Sequence, residues 1–293
     1  MIVQPTLMLC LGATKSGISW LFQYLSEHPQ CYLRSVKELH FFDTMGTSGA
    51  KKSAERHVAL AEALGAKLDT APATRFPDLL RRLGDHSAVA DLLREGDPDQ
   101  YLSYLMDGRG DQRLVGEVTP AYGLLPVPDL TTIASLLPDV RIIYLMRDPV
   151  ERLWSHIRMT AARRSMRGQI TRPECRRILR RLCAGGEADI AIRSDYRGAI
   201  ERLRAAVPSD RLLLTYYENM FAQAAPTQVC AFLGIDPLAS DRQTLIHAGK
   251  EVQMPFRIWR VARNWLAPQY DFVAQAVGDV PPAWQMDEQG ART

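Results

Sequence analysis

Short apolar runs alternate with stretches of helical period along most of the chain. Thr6–Leu11, Leu114–Gly116, Val140–Met146 and Arg211–Tyr216 are close to continuously apolar, the pattern of strands buried on both faces. Interleaved with helical segments, they predict an α/β fold in three layers, with helices on both faces of a central, mainly parallel sheet. From about Gly46 to Gly110 the chain is polar and helix-like, punctuated by Gly and Pro. Residues 46–110 therefore read as a helical excursion that caps or lines a site, and 254–293 as a C-terminal helical segment. No repeat or low-complexity linker divides 1–293, so one domain is expected.

One helix is legible residue by residue. After the run Val140–Met146 comes Arg147, then Asp148 as N-cap, Pro149 at the first helical position and Glu151 to complete a capping box. Val150, Leu153, Trp154, Ile157 and Ala161 recur at helical spacing and make the buried stripe, which leaves Arg152, Ser155 and Arg163 to the other faces.

Composition narrows the class. The 293 residues are 46% hydrophobic and 24% charged, which excludes disorder, collagen and coiled coil, and a chain this long needs no disulfide or metal staple. Its five cysteines are scattered and never spaced as CxxC, so a reducing compartment is expected and no structural metal. A net charge of +3 is too small for non-specific nucleic-acid binding. The amino terminus lacks a basic flank before its apolar run, and no run approaches the ~20 residues of a membrane span. A cytoplasmic location is the expectation; nothing in the sequence sets an oligomeric state.

The strongest chemical signal is Gly12-Ala13-Thr14-Lys15-Ser16-Gly17, between an apolar strand and the stripe Trp20, Leu21, Tyr24, Leu25. A loop entering a helix N-terminus cradles anions, because the first helical N–H groups have no partner and the macrodipole favours negative charge. Lys15 adds a full charge, and Ser16 and Ser19 add hydroxyls. The loop is not a Walker A motif, since Thr14 and not Gly precedes Lys15. Taken alone, it also reads as an ordinary strand-to-helix turn with a surface lysine.

Further segments carry a resemblance. TKSGISWL, the following Lys37-Glu38-Leu39-His40-Phe41-Phe42-Asp43, the segment Gly116-Glu117-Val118-Thr119-Pro120-Ala121-Tyr122 and the run Ile142–Ser155 occur in that order. Together they resemble the sulfotransferases that use 3′-phosphoadenosine 5′-phosphosulfate, particularly the glycan (heparan-type) branch and its bacterial relatives. The similarity spans roughly residues 6 to 235 and implies a P-loop-like fold.

It also implies roles. Lys15, Ser16, Gly17, Ile18, Ser19 and Trp20 would hold the 5′-phosphosulfate, and Arg147 with Ser155 the 3′-phosphate. Ser155 lies about 9 Å along the helix from Pro149, beside a group running along that helix. Tyr196 would approach the adenine or its phosphate, a core tyrosine being the other reading, and Gly249-Lys250 is the sole candidate for a later nucleotide contact. Lys15 would stabilise the leaving group and Glu38 act as base, with His40 the competitor. His40, Phe41, Glu117 and Thr119 would line the acceptor site. The implied co-substrate is the phosphosulfate donor itself, and no metal is expected.

Two departures from the family stand out, one in the phosphosulfate loop and one bearing on the acceptor. Ile18 stands where the family carries a hydroxyl, and Val118 replaces a lysine that meets anionic sugar in the glycan branch, which argues against a polyanionic glycan. A small molecule, a lipid or a saccharide remains as acceptor, through a hydroxyl or an amine. Phe256, Ile258, Trp259, Trp265 and Leu266, interleaved with Arg257, Arg260 and Arg263, either pack on the fold or touch a membrane surface. Two other classes stay open: a nucleotide-dependent phosphotransferase with Asp148 holding magnesium, and a non-catalytic nucleotide-binding module.

Overall fold

A computed structural model describes residues 4–165, 168, 170–221, 226–239 and 252–285; Gly249 and Lys250 lie outside the described residues. Five parallel strands, β1 (Thr6–Cys10), β2 (Cys31–Leu33), β3 (Leu114–Val118), β4 (Val140–Met146) and β5 (Leu212–Tyr216), form one sheet in the order β2-β3-β1-β4-β5. The expected α/β architecture is therefore present. β2 is absent from the sequence reading, because three residues, Cys-Tyr-Leu, are too few to show a period.

Both faces of the sheet are covered, which explains the unbroken apolar runs. Leu7 and Leu9 point to one face, with Val115, Tyr144 and Leu153; Met8 and Cys10 point to the other, with Ile18, Leu21 and Val118. The excursion consists mainly of helices Ser48–Leu68, Phe76–Glu95 and Pro98–Met106, and its Ala54, Val89 and Tyr101 join the first face.

The C-terminal stripe breaks into two helices, Phe256–Trp265 and Ala267–Ala276, with Pro268 in the first turn of the second. Leu266 and Val273 are fully buried, and the Tyr270 hydroxyl donates to Asp148 (2.9 Å) and accepts from the Val150 N–H (3.3 Å). The packing reading accounts for these residues, while Phe256 and Val261 stay exposed. No helix among the described residues is long and apolar enough to cross a membrane.

From β1 the chain first builds β2 and β3 on one side, then β4 and β5 on the other. The carboxyl ends of β1 and β4 thus flank the switch point where open α/β sheets bind ligands. The loop after β1 and Arg147 after β4 both start there.

Candidate active site

The loop after β1 is tied to β4 by backbone alone: the Ala13 N–H donates to the Leu145 carbonyl (2.7 Å) and the Leu145 N–H to that of Gly12 (2.8 Å). Gly17 then caps helix Ile18–Glu27 at φ +81°. A Cβ at Gly17 would fall 2.2 Å from the Tyr217 ring, so only glycine combines this backbone with that contact. Gly17→Ala is expected to destabilise by about 2 kcal/mol or more, checked by denaturant unfolding.

This corner fits an anion. Among the described residues the Gly17, Ile18 and Ser19 amides make no backbone hydrogen bond, and Lys15 makes no ion pair. Ser16 Oγ is fully buried near the Tyr196 phenol without a hydrogen bond of ordinary geometry. Burial, then Lys37, holds the Lys15 ammonium below its ordinary pKa. Ile18 and Trp20 turn their side chains into the core, so at these positions the backbone alone is left to face a ligand. The hydroxyl missing at Ile18 is therefore not lost from the loop's open face.

Arg147 shares this corner. Its guanidinium lies 5.1 Å from the centre of the same Tyr217 ring and 3.6 Å from Glu151. Tyr196 is fully buried, and its hydroxyl accepts from the Arg147 N–H (3.1 Å) and donates to the Arg147 carbonyl (2.7 Å). Of the two readings of Tyr196, the core position with a grip on Arg147 is the one the structure displays. Ser155 is half-buried on helix Pro149–Arg164, beyond Arg147.

The N-cap of that helix is as expected, with Asp148 accepting from the Glu151 N–H (2.9 Å). The reciprocal half of the box is not: Glu218 accepts from the Asp148 N–H (3.0 Å), while Glu151 turns to Arg147. Burial pushes the Asp148 carboxyl up to about 6.

Glu38 reaches the loop through a residue the sequence reading quoted but gave no role. Lys37 donates to Ser19 Oγ (2.7 Å) and lies 3.2 Å from Glu38 Oε1, joining the segment to the first turn of the loop's helix. The basic residue beside Glu38 was the available signal. His40 Nε2 is 4.0 Å from Glu38, but its Nδ1 meets Asp43 at 2.8 Å, and that hydrogen bond raises its pKa. Glu38 and His40 therefore stand side by side at the edge of the loop.

Lys15, Glu38 and His40 are three of the four non-glycine residues with positive φ among the described residues. Strained backbone gathered at one place is characteristic of functional sites.

The remaining acceptor candidates, Phe41, Glu117 and Thr119, are all buried. Glu117 accepts from the Tyr101 hydroxyl (2.8 Å) and the Thr119 hydroxyl (2.9 Å), and burial raises its pKa. The Phe41 N–H donates to the Tyr122 hydroxyl (2.9 Å), and the Glu38 N–H to the Val118 carbonyl (3.0 Å). They are supports that hold the Glu38 segment against the end of β3. Val118 itself is wholly buried, so its lack of charge says nothing about the acceptor.

Near the loop, His156 is 2% exposed, and burial followed by the cation of Arg152 drives its pKa down to about 3. The folded chain refuses a proton that the unfolded chain accepts below the ordinary imidazole value of 6.5. Stability from this group is thus complete above pH 6.5 and falls by about 1.4 kcal/mol per pH unit below it. His156→Asn is expected to flatten the acid side of a stability–pH curve.

Comparisons with known proteins follow this geometry. A crystal structure of a sulfotransferase from Alicyclobacillus acidocaldarius is similar to the chain with a TM-score of 0.62 and 20% identity, covering 97% of this chain and 100% of that one. The sulfotransferase domain of the Synechococcus PCC 7002 olefin synthase gives 0.45 at 20% identity, over 95% of this chain and 97% of that one. No curated protein matches the sequence. The family model described as "Sulfotransferase family" matches residues 8–240, a span that holds the loop, Glu38, Arg147 and all of the sheet but the first two residues of β1, and the chain belongs to that family.

Proposed function

We propose that the protein transfers a sulfuryl group from 3′-phosphoadenosine 5′-phosphosulfate to a hydroxyl or amine, with Lys15 and Glu38 as its catalytic residues. The observation that carries this reading is the shared corner around Tyr217. There Gly17 of the loop and Arg147 approach one ring, while Lys37 ties Glu38 to the same loop. A donor with phosphate at both ends of a nucleoside needs two cationic sites, and Lys15 and Arg147 supply one each.

When bound, the donor supplies the sulfuryl group and a phosphate leaving group. Ser16 and the Gly17, Ile18 and Ser19 amides would hold its 5′ end; Arg147, suited to bidentate phosphate contact, and Ser155 would hold its 3′ end. Lys15 neutralises the charge that gathers on the bridging oxygen as the sulfur–oxygen bond breaks. Glu38 takes the proton of the acceptor as the new bond to sulfur forms. Positioning and charge stabilisation carry most of such a transfer, as in phosphoryl transfer.

The magnesium-dependent alternative is weakened by Asp148, whose oxygens accept from the Glu151 N–H and the Tyr270 hydroxyl within a buried cap. Titration with adenosine 3′,5′-bisphosphate, followed by transfer of label from the phosphosulfate donor to a panel of alcohols, amines, lipids and saccharides, tests the reading. Binding in the presence of a chelator supports it. Turnover of ATP that needs magnesium would replace it with the phosphotransferase. The panel also decides among acceptor classes, including those of the glycan branch.

A further inference from the structure

Arg152 is the side chain in which the sequence pattern and the structure disagree most. Its helical position sets it away from the apolar stripe, yet it is 1% exposed and among the largest fully buried side chains. A guanidinium taken out of water normally has a carboxylate beside it, because an unpaired buried cation is costly. Among the described residues Arg152 has no ion pair. Its Nη1 donates to the Thr14 carbonyl at 3.4 Å, and its Nη2 to Ser194 Oγ, whose own proton goes to the Ile190 carbonyl (2.7 Å).

The surroundings add no negative charge. Burial, and more weakly Arg193, hold the Arg152 pKa down against the phenols of Tyr196 and Tyr144, which carry no charge at neutral pH, and His156 beside it is neutral. Asp189, near His156, is an exposed carboxylate that pairs with Arg193. Lys15, on the loop above, is also without an ion pair. The floor of the loop thus carries positive charge that no ion pair among the described residues compensates.

The contact to Thr14 gives that charge a direction. The Thr14 carbonyl and the Lys15 N–H belong to one peptide unit, and the Lys15 N–H makes no backbone hydrogen bond. A cation donating to the carbonyl polarises the unit and strengthens its N–H as a donor.

We propose that Arg152 is a positioning residue for the donor: a buried, unpaired guanidinium that fixes the Thr14–Lys15 peptide and is neutralised when a phosphate or phosphosulfate group occupies the loop. The proposal rests on the donor reading above. Its consequence is a pair of opposite effects. Removing the charge relieves the empty chain, and the same change weakens binding of the anion.

The test compares the full-length wild type with Arg152→Met, Arg152→Gln and Arg152→Lys, by thermal unfolding and by titration with adenosine 3′,5′-bisphosphate. The neutral variants are expected to unfold at or above the wild-type midpoint when empty, and to bind the nucleotide roughly 10- to 100-fold more weakly. In turnover, KM for the donor is expected to rise more than kcat falls. Arg152→Lys is expected to recover most of the affinity.

A merely structural arginine gives the reverse: a lower midpoint for the empty neutral variants and an unchanged nucleotide affinity. That result, or failure of both neutral variants to fold, overturns the proposal. Absence of nucleotide binding by the wild type overturns the donor reading and this proposal with it. Wild-type binding that the neutral variants keep overturns the role of Arg152 alone.

Discussion

Lys15→Ala is expected to lower kcat for sulfuryl transfer by about 10²- to 10³-fold, the loss typical of removing one preorganised group that meets charge developing in the transition state. Stability is expected to move the other way or not at all. Lys15 is partly desolvated, makes no ion pair and is repelled by Lys37, so its ammonium contributes little to the empty fold. Its backbone at φ +71° is strained in any non-glycine residue and does not improve with alanine. Steady-state kinetics beside thermal unfolding checks both halves. A variant that loses activity only because it unfolds, or keeps wild-type kcat, removes Lys15 from the reaction.

Glu38→Gln is expected to lower kcat by roughly 10²- to 10⁴-fold, the range for general-base catalysis, and to abolish the acid limb of the pH–rate profile. The change keeps the shape of the side chain and an oxygen that can still accept from Lys37, so loss of activity reports the proton-accepting role and not the fold. His40→Asn is the companion variant. His40, whose Nδ1 is taken up by Asp43 (2.8 Å), is expected to matter several-fold less than Glu38. Activity near wild type in Glu38→Gln with collapse in His40→Asn would transfer the role of base to His40.

Much of the framework was open to sequence reading because it rests on local rules. The apolar runs of β1, β3, β4 and β5 are continuous because helices cover both faces of the sheet, and the Asp148-Pro149 start of the following helix follows from capping chemistry. β2 escaped because its pairing with β3, and not its own composition, makes it a strand. The capping box forms only by half for a related reason. Glu218, distant in sequence, takes the Asp148 N–H, which leaves Glu151 to Arg147.

The site shows the same division. Lys15, Glu38 and Arg147 stand out as residue types at meaningful spacings, and those spacings survive folding. The burial of Phe41, Glu117 and Thr119 does not follow from their motifs, because whether a side chain meets a ligand or its neighbours depends on which elements cover it. Val118 makes the point sharply: a position that looks like an acceptor contact in a linear motif is core in the folded chain.

Periodicity, caps and a loop of distinctive composition were enough to indicate a parallel α/β sheet with a glycine- and lysine-bearing loop after its first strand, since each depends on neighbours within a few residues. The meeting of that loop with Arg147 at Tyr217, the clamp of Lys37 across Ser19 and Glu38, and the unpaired charge of Arg152 under Thr14 came from folding. Each joins residues far apart in the chain, and electrostatic and packing energies follow distance in space, which no local pattern records.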